Sequence, residues 1–142
     1  NEILTLSTLK DSLYSIPEDT DLLLLKTDFE SYRNSNYKAY IFHGPGIAPD
    51  VGVWLRNNRR LKMIGFDFIS LSSYSNRELG REAHRAFLSK SFPGFNEGCS
   101  NPILIIEDMH LSEINNSVKS VVVAPLLYEN ADGAPVTVIA EK

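Results

Sequence analysis

Cysteine and long apolar stretches are nearly missing from this sequence. Its single cysteine, Cys99, has no second cysteine to pair with, so an intrachain disulfide is excluded. No apolar run is long enough to cross a bilayer, and no secretory signal pattern is present. These absences disfavour a disulfide scaffold and a membrane partner, and we expect the chain to reside in a reducing cytoplasm.

Clustered positive charge and phosphate-binding motifs are missing as well. The 142 residues carry a formal net charge of −4, and the densest basic stretch is RNNRR, from Arg56 to Arg60. Because surfaces that bind nucleic acid are strongly basic, nucleic acid is not expected as a partner. The sequence also contains no Cys-x-x-Cys pair, no P-loop and no dinucleotide fingerprint.

The remaining composition is that of an ordinary globular protein. Hydrophobic residues make up 43% and charged residues 23% of the chain, and its length suits one domain that spans residues 1–142. Short apolar runs predict strands in DLLLLKTD, LKMIGFDFISL and PILIIED, and the first has the pattern of a central strand covered on both faces. The β-branched runs VKSVVVAPLLY and APVTVIAE flank an Asp-Gly turn signal, which predicts an antiparallel pair.

Helical spacing lies between these strands. It predicts a helix in LSTLKDSLYSI with Ser7 or Thr8 as its N-cap, a helix that starts near Pro49, and a helix capped by Ser75 or Asn76. The segment RNSNY has the composition of a polar loop. Helices that alternate with buried strands predict an α/β fold with a mostly parallel or mixed sheet.

Acidic residues follow three of the predicted strands, at Asp28, at Asp67, and at Glu107 with Asp108. In open α/β sheets the functional crevice lies beyond the carboxyl ends of the strands, so these acids are candidates to converge there. The alternative is that strands simply end where solvent begins, and that the acids cap the helices that follow.

Histidine is scarce, and one of the three occupies a helix. His84 lies beside the apolar face of the third predicted helix, where an imidazole would be half-buried. Gly80, one turn earlier, would let another backbone or a ligand approach this histidine. The alternative is a histidine on the helix surface that binds nothing.

Loop residues supply further pocket candidates. His43 lies in the turn FHGPG, and Ser70 and Ser72 follow the second predicted strand of the sheet. Each can line a substrate pocket, and the alternative is a loop histidine and helix-capping hydroxyls. Cys99 has no local base, and His110 is expected to be exposed, so neither is a candidate.

One series of segments has a characteristic order and spacing: DLLLLKTDF, GPGIAPDVGVWL, MIGFDFISLSS, AHRAFL, ILIIEDMHLSEI and VVVAPLLYENADGAPVTVIA. Over nearly the whole chain, this series resembles the later part of the putative cyclase family, which includes kynurenine formamidase and isatin hydrolase. The resemblance implies a swivelling β/β/α fold and a metal-dependent hydrolase.

The resemblance also implies roles for two residues. The family's helix histidine falls on His84 and its strand-end glutamate on Glu107, both ligands of a catalytic divalent metal, zinc or manganese. A metal-bound water can attack an amide or lactam carbonyl near neutral pH. The implied function is cleavage of a C–N amide bond in a small cyclic or aryl amide, by an enzyme that forms a homo-oligomer.

The family's most diagnostic motif is His-x-Gly-Thr-His-x-Asp-x-Pro-x-His, and this sequence does not contain it. That motif supplies the remaining metal ligands and a catalytic histidine, so His84 and Glu107 make only two of about three ligands of a catalytic zinc. Since the chain also opens on Asn1 rather than methionine, we expect it to be the carboxyl-terminal portion of a longer domain. Two alternatives stay open: a non-catalytic, metal-free binding or assembly module, and a hydrolase that uses Ser70 or Ser72 with a histidine.

Overall fold

The structure is a computed structural model, and it describes residues 2–115 and 118–141. The chain divides into two compact units, Asn1–Ser112 and Glu113–Lys142. Helices and strands alternate along the first unit, and the described residues of the second unit form two strands, which confirms the α/β class. The single-domain organisation stays a prediction, because compactness does not measure whether each unit folds alone.

The first unit contains most of the secondary structure. In chain order its elements are β1 (Ile3–Leu4), α1 (Leu6–Tyr14), β2 (Leu22–Leu25), a 3₁₀ turn (Phe29–Ser31), α2 (Tyr32–Ser35), α3 (Tyr37–Phe42), β3 (Gly46–Ile47), α4 (Pro49–Asn58), β4 (Met63–Phe66), α5 (Arg77–Leu88) and β5 (Leu104–Ile106). A parallel sheet has the order β2-β4-β5, and β1 pairs with β3 in a second parallel sheet.

The position of β2 differs from the prediction of a central strand, which is wrong. Within the described part of the chain, β2 has β4 as its neighbour in the sheet and forms one edge, and all four of its leucines are half-buried. Leu23 and Leu25 pack against the hydrophobic core. A run of four leucines cannot distinguish a covered central strand from an edge strand that buries one face, because both remove apolar side chains from water.

The helix starts follow local capping chemistry. The N-cap of α1 is Thr5, and the prediction of Ser7 or Thr8 is wrong because Thr5 and Thr8 bond reciprocally: Thr8 N donates to Thr5 Oγ1 at 3.3 Å, and Thr5 N donates to Thr8 Oγ1 at 2.9 Å. Pro49 occupies the first turn of α4, and Asn76 caps α5, as predicted.

The segment RNSNY, predicted as a polar loop, instead overlaps the short helix α2 and the start of α3. Asn36 separates them, and its side chain accepts a hydrogen bond from Ala39 N at 3.1 Å, which caps α3. The prediction failed because asparagine and serine favour both turns and helix starts.

The hydrophobic core joins α4 and α5 to the central strand β4. Val51 and Leu55 from α4, Phe87 from α5, and Ile64 and Phe66 from β4 are all fully buried. Each such side chain contributes about 1.5–3 kcal/mol when it leaves water. The core therefore fixes α5 against the sheet, and this fixes the position of the candidate histidine.

The second unit is an antiparallel pair, as predicted. Its strands are β6 (Ser120–Pro125) and β7 (Val136–Glu141), and Val122 lies opposite Ile139. Across residues 2–115 and 118–141, no helix has both the length and the apolar character needed to span a membrane.

Candidate functional site

The helix α5 and the end of β5 bring the two predicted metal ligands together. His84 lies on the third turn of α5, and Glu107 directly follows β5. The distance from His84 Nε2 to Glu107 Oε1 is 3.7 Å, and the two side chains are 35% and 36% exposed. They are 23 positions apart in the chain, yet the fold brings their side chains to face each other.

A hydrogen bond from the second ring nitrogen, Nδ1, fixes the orientation of the His84 ring. His84 Nδ1 lies 2.9 Å from the carbonyl oxygen of Gly80, one helical turn earlier. Because a carbonyl only accepts hydrogen bonds, Nδ1 carries a proton and donates it. In the neutral ring the lone pair is therefore on Nε2, the nitrogen that faces Glu107.

The carboxylate of Glu107 is held by the loop that follows β4. Its Oε1 accepts hydrogen bonds from Leu71 N at 2.8 Å and from Ser70 Oγ at 3.1 Å. Burial acts to raise the pKa of Glu107, but contact with His84 and these two donors outweighs burial and lowers the pKa. The Ser70 hydroxyl therefore positions the carboxylate.

The pKa of His84 shifts the other way. Its contact with Glu107 raises the pKa above the usual value of 6.5, against a smaller effect of burial, and the Gly80 carbonyl adds to the increase. Both shifts favour a protonated imidazole beside an ionised carboxylate. A positive charge between the two groups is thus stabilised.

Gly80 allows a close approach to the helix, as the sequence predicted. A Cβ added at Gly80 would lie 2.8 Å from the Cα of Ser72, so the loop after β4 contacts α5 at this position. The same loop brings Ser72 Oγ to 3.5 Å from His84 Nδ1. That distance is at the limit of a hydrogen bond, and the Gly80 carbonyl is the closer partner.

A concave space of about 610 Å³ opens beside His84. Two ion pairs contribute to its wall, Arg81 with Glu78 at 3.0 Å and Arg85 with Glu82 at 3.1 Å. The space is large enough for a small organic molecule. It is lined by Ser72, Glu78, Arg81, Glu82, His84 and Arg85.

The other pocket candidates lie elsewhere. His43 is exposed and caps the C-terminal end of α3. Asp67 is fully buried, and it accepts hydrogen bonds from Thr27 N at 3.0 Å and from Thr27 Oγ1 at 2.6 Å. The described residues that line the space beside His84 include neither of them.

The strand-end acids bind separate partners rather than one another. Asp67 bonds to Thr27, and Asp28 forms an exposed ion pair with Lys26 at 3.8 Å. Asp108 pairs with Arg33. In the part of the chain that the structure describes, no group of three or more histidine, cysteine, aspartate or glutamate side chains is arranged to hold a metal ion.

The chain matches one family of known proteins. The family described as Putative cyclase matches residues 1–73, just over half of the 142 residues. The chain belongs to the putative cyclase family. No curated protein and no solved structure matches it significantly. The family match includes Asp67, Ser70 and Ser72 and ends before His84 and Glu107, so the structural case for these two rests on their geometry.

In this cyclase-family chain, the positions of His84 and Glu107 suit two ligands of one metal ion. Two ligands of one tetrahedral zinc ion lie about 3.4 Å apart, and the His84–Glu107 distance of 3.7 Å is close to this value. The second ring nitrogen of His84 bonds to a carbonyl, an arrangement that orients metal-binding histidines. The pair fits a divalent metal as two ligands of the about three that a catalytic zinc requires.

Residues near Glu107 that the sequence did not reveal fix the backbone after it. Asp108 has a left-handed backbone with φ of 58°. Its carboxylate accepts hydrogen bonds from Arg33 Nη2 at 2.7 Å and from the Tyr40 hydroxyl. Arg33 is 75 positions away from Asp108, and no motif links an arginine and an acid at that distance. The sequence marked Asp108 only as an acid next to Glu107 at a strand end and gave no signal for Arg33 or Tyr40.

Proposed function

We propose that this cyclase-family chain belongs to a metal-dependent hydrolase that cleaves the C–N amide bond of a small cyclic or aryl amide. His84 and Glu107 would supply two of the ligands of a divalent metal, zinc or manganese. The remaining ligands would come from outside this chain. The family membership supports the hydrolase class, and the facing of His84 Nε2 and Glu107 Oε1 at 3.7 Å carries the assignment of the ligands.

The facing of these two atoms supports a cation between them. With Nδ1 committed to the Gly80 carbonyl, a neutral His84 presents a lone pair to an ionised carboxylate. Two electron-rich atoms repel each other unless a positive ion lies between them. A proton on Nε2 can fill this role, and a metal ion would fill it in the proposed site.

The chain's own residues would then hold the ligands and the substrate. Ser70 and the backbone of Leu71 keep the carboxylate of Glu107 in place. The space of about 610 Å³ beside His84 would receive the amide. A divalent ion, when bound, polarises a carbonyl oxygen and lowers the pKa of a bound water.

The finer properties of the family are part of the same proposal. We expect the swivelling β/β/α fold, a location in the cytoplasm and assembly into a homo-oligomer. Val122 and Ile139, which are each 61% exposed on the hairpin of the second unit, favour assembly because an apolar sheet surface lowers its free energy when covered.

Metal binding and hydrolysis test the proposal directly. Zinc or manganese binding, measured by equilibrium dialysis with elemental analysis, should weaken at least about ten-fold in His84→Ala and in Glu107→Gln. Glu113→Gln serves as the matched control. Hydrolysis of isatin and of N-formylkynurenine should be followed with and without a chelator. If the folded chain binds no metal and neither substrate is cleaved, the hydrolase is excluded for this chain.

A second candidate function is a non-catalytic, metal-free binding or assembly module. One observation favours it: the sequence lacks the His-x-Gly-Thr-His-x-Asp segment. This module would fold normally and show the same metal content in the parent chain and in His84→Ala. Circular dichroism with elemental analysis separates the two candidates, since only the hydrolase loses metal in the variant.

A further inference from the structure

A second histidine, His110, contacts neither of the proposed metal ligands in the contacts described below. It lies between the hydroxyl of a serine and a buried carboxylate. His110 Nδ1 lies 3.1 Å from Glu30 Oε1, and His110 Nε2 lies 3.2 Å from Ser112 Oγ. From this arrangement we infer that Ser112 is an activated nucleophile, with His110 as its base and Glu30 as the group that orients the base. Its electrophiles are small activated acyl and phosphonyl compounds.

The three groups contact one another, and the ring of His110 places one nitrogen on the carboxylate and the other on the hydroxyl, as nucleophile activation requires. The carboxylate of Glu30 accepts a hydrogen bond, so His110 Nδ1 carries the proton and Nε2 has the lone pair. That lone pair faces the hydroxyl of Ser112 at hydrogen-bonding distance. A serine, a histidine and an acid in this order occur in unrelated folds, and the geometry identifies them.

Glu30 is rigidly held and negatively charged. It is 7% exposed, and its carboxylate accepts hydrogen bonds from the backbone nitrogens of Leu111 and Ser112. Burial acts to raise the pKa of Glu30, but the backbone nitrogen of Leu111, the hydroxyl and backbone nitrogen of Ser112, and His110 outweigh burial and lower it. The carboxylate therefore stays ionised at neutral pH and places a negative charge beside the ring of His110.

The surroundings of Ser112 suit a small external reagent. The His110 side chain is 69% exposed, so an electrophile can reach the hydroxyl from solvent. Lys26 Nζ donates to the carbonyl oxygen of Ser112 at 2.9 Å, which brings a positive charge to the same segment. Negative charge that develops during attack is favoured near this ammonium group.

The other serine beside a histidine does not meet the same requirement. Ser72 Oγ is 3.5 Å from His84 Nδ1, and that nitrogen donates its proton to the Gly80 carbonyl at 2.9 Å. A nitrogen that carries a proton cannot accept one from a hydroxyl. Ser72 is therefore an internal comparison: it has a histidine nearby but no base.

Two probes react with an activated serine, and each reaction breaks one bond for the bond that it forms. With p-nitrophenyl acetate, Ser112 Oγ bonds to the acyl carbon, the ester C–O bond breaks, and p-nitrophenolate leaves while His110 Nε2 takes the serine proton. Water then attacks the acetylated serine, acetate leaves, and the hydroxyl regains a proton. With a fluorophosphonate, the O–P bond forms, the P–F bond breaks, and fluoride leaves with the serine proton.

The test is labelling of the full chain with a fluorophosphonate, followed by intact mass and peptide mapping. We expect one adduct, located on Ser112, with none on Ser72. The labelling rate should fall at least about ten-fold in His110→Gln, because general-base catalysis by a histidine contributes that much or more. Ser15→Ala, which removes an exposed hydroxyl on the α1 C-cap, should label at the parent rate.

The variant His110→Gln should fold like the parent chain, because the side chain of His110 is mostly exposed. A slower labelling rate in this variant would therefore report the loss of the base and not a loss of structure. Release of p-nitrophenolate from p-nitrophenyl acetate should fall in parallel in His110→Gln and in Ser112→Ala. An absence of adduct on Ser112, or an adduct that forms equally fast in His110→Gln, overturns the inference. Neither result bears on metal binding by His84 and Glu107.

Discussion

His84 Nε2 and Glu107 Oε1 face each other at 3.7 Å while the second ring nitrogen of His84 is fixed by the Gly80 carbonyl. This relationship places a group that can carry a positive charge, on α5, opposite a carboxylate at the end of β5. It makes the charges of the two residues depend on pH differently from those of isolated surface groups, because the pKa of His84 is raised and that of Glu107 is lowered.

The pair should stabilise the fold within a defined pH window. The pKa of His84 is raised above 6.5, so its contribution is complete below that pH and disappears as the pH rises through the raised pKa. The pKa of Glu107 is lowered below 4.5, so its contribution is complete above that pH and is lost as the pH falls through the lowered pKa. The stabilisation is therefore greatest between these two usual values.

Urea unfolding of the parent chain and of His84→Gln measures this window. Because both side chains are about one-third exposed, solvent limits the effect to about 1 kcal/mol or less. The difference in unfolding free energy should be largest at about pH 5.5 and should shrink at about pH 8.5. Packing lost in the variant is the same at both pH values and cancels. An equal difference at both would show that no charge pair forms.

Gly80→Ala should destabilise the first unit although alanine favours helices. A Cβ at this position would lie 2.8 Å from the Cα of Ser72, a backbone atom that moves only with its loop. The expected loss is about 1–3 kcal/mol from overpacking, which exceeds the gain of about 1 kcal/mol in helix propensity.

Thermal unfolding checks the effect at Gly80. Gly133→Ala is the matched control, since nothing lies within 4 Å of a Cβ placed there, and its midpoint should stay close to that of the parent. A Gly80→Ala variant more stable than the parent would mean that the loop after β4 does not contact α5 in solution.

Local sequence patterns were sufficient to predict the helices and strands that carry this site. Pro49 marked the first turn of α4, Asn76 capped α5, and continuous apolar runs marked β4 and β5. These features depend on a few neighbouring residues. Gly80 also indicated a close approach of another segment to α5. A glycine inside a helix lowers its stability, so its presence there suggests that a side chain would not fit.

Contacts between distant segments were beyond such patterns. The edge position of β2 depends on which strand pairs with which, and four leucines carry no information on that order. The bond from Asp67 to Thr27 joins residues 40 positions apart. Buried acids of this kind resemble site residues in sequence, and only the fold shows that their hydrogen bonds are already satisfied.

The Tyr40 hydroxyl should contribute to stability through Asp108. Tyr40 is 2% exposed and donates to the carboxylate of Asp108, whose backbone is left-handed. Tyr40→Phe removes this donor, and we expect a loss of about 1–2 kcal/mol in urea unfolding because a hydrogen bond to a charged group is lost. Tyr37→Phe, at a tyrosine that is 63% exposed, should change stability by less than about 0.5 kcal/mol.

The same variant has a spectroscopic signature. Burial, followed by the bond to Asp108, raises the pKa of Tyr40 to about 12. The parent chain should therefore contain one tyrosine whose phenolate absorption appears near that pH, and Tyr40→Phe should remove this step alone. If the step persists in the variant, the buried hydroxyl belongs to another tyrosine.

Protons and metal ions should compete for His84. A proton on His84 Nε2 has to leave before a divalent ion binds there, so zinc affinity should rise about ten-fold per pH unit below the pKa of His84 and level off above it. Glu107→Gln removes one ligand and also the main cause of the raised pKa. Its affinity should be lower, and its plateau should begin at a lower pH than in the parent chain. Zinc titrations across about pH 5–8 measure both quantities, and an affinity that does not change with pH would exclude His84 as a metal ligand.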